Sequence, residues 1–132
     1  MRALAEAESY VMDRLGHHPL LYRVRYAMSQ AHGQLREYAR QRDILLGVLP
    51  AQTTLLGRYH PDTLATALDL GIVYAMTGNR AKAVALVDGA AVALRRGIGM
   101  NTDLAGKATT AQGIVRLPFL VLRTMAVLER LL

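Results

Sequence analysis

The sequence contains no cysteine and no tryptophan, and its aromatic residues are six tyrosines and a single phenylalanine, Phe119. The missing cysteines exclude disulfide bridges and thiolate metal sites. Hydrophobic residues still make up 52% of the chain against 5% aromatic, so its core is built from alanine, leucine and valine. Small side chains let helix axes approach closely. Alanine and leucine are also strong helix formers, and β-branched runs are nearly absent. No apolar run reaches the length of roughly 18 residues that a membrane-spanning helix needs. The nearest, positions 117–132, is interrupted by Arg123, Glu129 and Arg130. Positions 1–15 carry Glu6, Glu8 and Asp13 inside an apolar pattern and show no cleavage-site signature, so no signal peptide is expected there. The expectation is a soluble, cytoplasmic protein that makes no membrane contact, with one domain over residues 1–132.

The net charge is +6, and Lys82 and Lys107 are the only lysines among 16 basic residues. A basic balance can serve nucleic acid, an acidic partner or plain solvation. Here the charges are scattered along the chain, which favours a solvated surface. The heavy use of arginine and alanine is similar to that of GC-rich bacterial, actinobacterial-like sequences.

The chain repeats itself. His18-Pro19 recurs as His60-Pro61. The same shift carries Leu56-Gly57 onto Ile98-Gly99, Ala31 onto Val73, and positions 48–51 (Val-Leu-Pro-Ala) onto positions 90–93 (Ala-Ala-Val-Ala). Each unit reads as a helix pair. In the second unit Pro61 suits a first helical turn, where a missing N–H costs nothing, and Asp62 suits the positive end of the helix dipole. Leu64, Ala67, Leu68, Gly71, Ile72 and Ala75 follow helical spacing. Gly78-Asn79 marks the turn. A second helix then carries Ala83, Val84, Val87, Ala90, Ala91 and Leu94 on one side, with Arg95 and Arg96 at its negative end and Gly97 or Gly99 to stop it. The spacing predicts helices over 1–15, 19–34, 36–55, 61–77, 80–97, 102–116 and 118–131. The first of these is an unpaired second helix of a preceding unit. This is an all-α solenoid of about seven antiparallel helices, with two full pairs and flanking partial ones. So few units leave end faces to cover, either by further repeats or by another copy.

The stretch Leu56-Gly57-Arg58-Tyr59-His60-Pro61-Asp62-Thr63-Leu64-Ala65-Thr66, with Leu70-Gly71, Tyr74, Gly78, Arg80, Ala83 and Ala90 after it, resembles the kinesin-light-chain type of tetratricopeptide repeat (TPR). The first unit follows the register but carries Ser29 at the place of Gly71 and Arg36 at the place of Gly78. In the third, Thr102-Asp103 replaces His-Pro, and Pro118 breaks the pattern. The resemblance implies a protein-interaction scaffold whose first helices line a concave groove. In its register Arg23, Tyr26, Gln30 and Gln34 face that groove from the first unit. Leu68, Asp69, Ile72 and Met76 face it from the second, and Lys107, Thr110 and Ile114 from the third. Such a lining suits a peptide or helix of a partner protein whose acidic groups meet Arg23 and Lys107. The family often carries asparagine where Asp69 stands, and an ionised aspartate accepts but cannot donate.

Chemistry is not expected. His17, His18, His32 and His60 have no carboxylate spaced to complete a metal site, Ser9 and Ser29 lack a nucleophile elbow, and Gly97-Ile98-Gly99 lacks the rest of a phosphate-binding loop. No cofactor, metal or catalytic residue is therefore assigned. The alternative function is the sensor or assembly part of a bacterial transcriptional regulator. Direct nucleic-acid contact would fall to Arg36, Arg40, Arg42, Arg95 and Arg96, with Tyr38 alone as a stacking surface. The last helix is apolar around most of its circumference, and Phe119, Leu122, Met125 and Leu128 are expected to mediate self-association as a homodimer.

Overall fold

The computed structural model describes residues 1–96 and 102–131. The described chain is all helical, with α1 (Arg2–Leu15), α2 (Pro19–Gln34), α3 (Tyr38–Leu56), α4 (Pro61–Met76), α5 (Arg80–Arg96), α6 (Thr102–Val115) and α7 (Phe119–Leu131). All seven expected helices are present, with ends that differ by at most two residues. The largest difference is at α3, which starts at Tyr38 because Arg36 takes a positive φ of 59° and so belongs to the turn. The expected stop at Gly97 or Gly99 lies outside the described residues. Contacts cluster into two compact units, Met1–Thr66 and Ala67–Leu132.

In the first unit α1 packs on α2 and α2 on α3. Val11, Leu21, Tyr22 and Val48 form the buried cluster, with Val24, Ile44 and Ala51 against it. The Tyr22 hydroxyl shares a 2.7 Å hydrogen bond with Nδ1 of His17. In α1, Leu4, Ala7, Glu8 and Val11 are the less exposed positions, spaced as one helical face. In the second unit α5 packs on α6. A bidentate pair from Arg116 to Asp88, at 2.9 and 2.8 Å, joins α5 to the turn after α6, and Gln112 donates to the same carboxylate.

The repeated His-Pro has a structural reason. The N–H of Leu20 donates to His18 Nδ1 at 3.1 Å. One repeat later the N–H of Asp62 donates to His60 Nδ1 at 3.0 Å. Each imidazole accepts from an N–H that the first helical turn leaves without a partner, and the proline between them has no such N–H to satisfy. The turns inside the pairs also repeat. Glu37 N–H donates to His32 C=O at 2.9 Å, and Asn79 N–H donates to Tyr74 C=O at 2.8 Å. This longer-range bond closes a helix through a left-handed residue. The left-handed residues are Gly78, with φ 90°, and Arg36 at the matching place. The third pair departs from this period. α6 ends at Val115, and Leu117 N–H turns back on Ile114 C=O. That turn therefore comes early by about one helical turn, ahead of Pro118, which has no N–H to continue the ladder.

Candidate functional site

The four residues expected to face a partner from the first unit fall on one stripe of α2. Arg23, Gln30 and Gln34 are exposed and Tyr26 is half-buried. Their spacing of three and four sets them one above another. Gln30 Nε2 donates to the Tyr26 hydroxyl at 3.4 Å. Arg23 Nε lies 3.7 Å from the carboxylate of Asp62.

In the second unit Asp69, Ile72 and Met76 form a half-buried stripe on α4. Lys107, Thr110 and Ile114 repeat the same spacing on α6, with Thr110 exposed. The two stripes meet where Lys107 Nζ approaches Asp69 Oδ1 to 2.6 Å. That pair is largely shielded, with side chains 30% and 12% exposed. Leu68, expected on this face, is instead at 0% exposure and is a core residue. It neighbours Asp69 in sequence and so points about 100° away around the helix, into the packed side.

The charges are disposed differently from the expectation. Both cations assigned to an acidic partner already face carboxylates within the chain, Arg23 on Asp62 and Lys107 on Asp69. Among the outer arginines, Arg40 reaches Glu37 at 3.3 Å and Arg42 reaches Asp43 at 3.5 Å. Sequence reasoning missed these partners because they come from neighbouring helices or depend on rotamers that spacing does not fix.

On α7 the proposed self-association residues divide. Phe119 and Met125 are exposed at 43% and 44%, joined by Val121 at 40% and Leu120 at 76%. Leu122 is buried. Leu128 lies outside the residues whose side chains are described. The Phe119 ring lies over Gly78, within van der Waals reach of where a Cβ would stand, and carries Arg123 on its face.

A second concavity was not expected. Glu8 of α1, Arg25 and Met28 of α2, and Asp43, Ile44 and Gly47 of α3 line an open cleft of about 280 Å³ in the first unit. Inside it Arg25 Nε donates to Glu8 Oε2 at 3.1 Å. Among the described residues no group of three or more histidines and carboxylates could hold a metal ion, and no helix is long and apolar enough to cross a membrane. No protein-family model matches this chain, and no curated protein is similar to it at a significant level.

Proposed function

We propose that this chain is a TPR-like interaction module, without catalytic activity, that holds a peptide or helix of a partner protein on the face made by α4 and α6. The observation that carries this reading is the pair of equally spaced stripes joined by Asp69 and Lys107. Ile72, Met76 and Ile114 offer half-buried apolar surface there, and exposed Thr110 stands between Lys107 and Ile114 along α6. A helix or extended segment that lays apolar anchors along such a surface is a common recognition mode. Because Lys107 is neutralised by Asp69, apolar contact carries more of the affinity than charge does. Peptides selected on the wild-type protein from a random display library provide the test. Thr110→Arg places a long cation on the face without touching the core and should weaken the selected peptides more than about tenfold, or about 1.4 kcal/mol. Arg95→Glu, on α5, should change little. Equal binding to wild type and Thr110→Arg would refute the site, and equal loss from both variants would indicate a nonspecific basic surface.

The exposed Phe119, Leu120, Val121 and Met125 support a second element of the reading, association of two copies through α7. Sedimentation equilibrium should give a discrete dimer that Leu120→Glu converts to a monomer. A wild-type monomer at tens of micromolar would end it. A role as the sensor part of a transcriptional regulator remains the alternative. Salt-dependent DNA binding by this chain alone would favour its direct form.

A further inference from the structure

The cleft between α1, α2 and α3 carries charges that the scaffold does not require. The internal repeat acts as a control for this. Shifted by one repeat, Glu8, Arg25, Met28, Asp43, Ile44 and Gly47 fall on Pro50, Ala67, Leu70, Ala85, Leu86 and Gly89. The second copy of the motif therefore builds its helices with no charge at any of these places, and glycine is the one residue the two copies share. Gly47 sits in the middle of α3, is exposed, and a Cβ built on it would meet nothing within 4 Å. A helical glycine in open space destabilises relative to alanine. Its counterpart Gly89 is open in the same way, so the open glycine belongs to the repeat, and the charges are what this cleft adds to it.

The chemistry of the lining selects the occupant. Glu8 and Asp43 bring two carboxylates to the lining, and Arg25 brings one guanidinium, which is hydrogen-bonded to Glu8. Arg25 is doubly engaged, by Glu8 and by the Tyr22 ring, whose centroid lies 5.6 Å from its guanidinium carbon. Asp43 pairs with the neighbouring Arg42 at 3.5 Å, with its own side chain 69% exposed, and exposed pairs of this kind are weak enough to be exchanged. Met28 and Ile44 supply apolar wall. A long cationic side chain matches this arrangement, since its aliphatic stem packs on apolar surface while its head seeks carboxylate. The volume lies just below the range of small-molecule pockets, which fits a single side chain better than a free metabolite.

We propose that this cleft is a receptor for one arginine or lysine side chain of a partner protein, with the stem along Met28 and Ile44 past Gly47 and the cationic head at Asp43 and Glu8. The site is distinct from the α4–α6 face and stands or falls separately from it. The probe is N-acetyl-arginine-N-methylamide, titrated against the ¹⁵N-labelled full chain and followed by amide shifts. Saturable shifts at Glu8, Arg25, Ile44 and Gly47 are expected, with a dissociation constant in the millimolar range appropriate to so few atoms. The uncharged citrulline analogue should bind at least about fivefold more weakly. Asp43→Asn should weaken the arginine probe comparably. Gly47→Leu should abolish binding while raising the melting temperature by a few degrees, because the new side chain fills open space on a helix. No saturation anywhere in the millimolar range, equal binding of the citrulline analogue, tighter binding of the glutamate analogue, or full binding by a folded Gly47→Leu variant would each overturn the proposal.

Discussion

The first helix pair, α2 with α3, and the second, α4 with α5, solve one packing problem with different residues. At the closest approach of the second pair Gly71 stands against Val87, so tightly that a Cβ on Gly71 would overlap the valine Cγ2. The matching residues of the first pair are Ser29 and Leu45, both fully buried. One turn further along, a Cβ on Gly33 would come within 2.7 to 2.9 Å of the Gln41 carboxamide. Their counterparts are Ala75 and Ala83, both buried. Glycine with glutamine has thus been exchanged for alanine with alanine. At the first of these layers both side chains are smaller in the second pair, and at the next, size is traded across the contact, so the repeat keeps the positions that meet while the residues filling them change. The turns make the same point. A left-handed residue is required after α2 as after α4, and Arg36 adopts it despite the strain that glycine avoids.

The largest effect should come from breaking the tighter contact. Gly71→Leu would force a branched side chain into Val87 and should destabilise by about 1–3 kcal/mol. A urea melt reads this, and a raised midpoint would refute the repeat register. Combining it with Val87→Ala should recover part of the loss. The looser contact should respond less. Gly33→Ala alone should change stability by less than about 1 kcal/mol, because the flexible end of Gln41 can swing aside and alanine favours the helix. Gly33→Ala with Gln41→Ala recreates the second pair's solution, and a double variant more stable than the sum of the single changes would show the coupling; strictly additive effects would show that the two pairs are not equivalent. The smallest effect is electrostatic. Hydrogen bonding from Arg116 holds the Asp88 carboxyl below its usual 3.8; burial opposes this, and the Gln112 hydrogen bond and the charges of Arg116 and Arg95 add to the lowering. A carboxyl lowered on folding stabilises above its unfolded value and loses that contribution as pH falls through its folded one. Asp88→Asn should therefore be slightly less stable than wild type at neutral pH, by less than about 1 kcal/mol because the pair is partly exposed, and the two should converge in acid below that range. A gap that persists unchanged in acid would exclude the ion pair as its cause.

Much of this fold was legible in the sequence because its signals are local. Pro19 and Pro61 start helices, Gly78 ends one, and apolar spacing fixes the faces between them. Arg36 was readable as a departure at the place of Gly78, but only the backbone reveals that it takes the same conformation. The candidate site was less legible. Lys107 and Asp69 lie on helices that are not consecutive in the chain, and their pairing depends on where α6 lies against α4. Leu68 differs from its less buried neighbour only by the rotation of one residue about the helix. The charged cleft draws on three helices, so no spacing rule could reveal it, although Gly47 and Gly89 already shared the repeat's period.

One helix-pair geometry is written twice in the chain, once from His18-Pro19 and again from His60-Pro61. Its most direct test is to graft the second solution onto the first by replacing Ser29, Gly33, Gln41 and Leu45 with Gly, Ala, Ala and Val, and to measure unfolding in urea. If the pair geometry repeats, the grafted chain should give a cooperative transition with unchanged slope and lose no more than about 3 kcal/mol, since three buried side chains are shortened and the helices can close on them. A loss above about 3 kcal/mol, or a transition that is no longer cooperative, would contradict it.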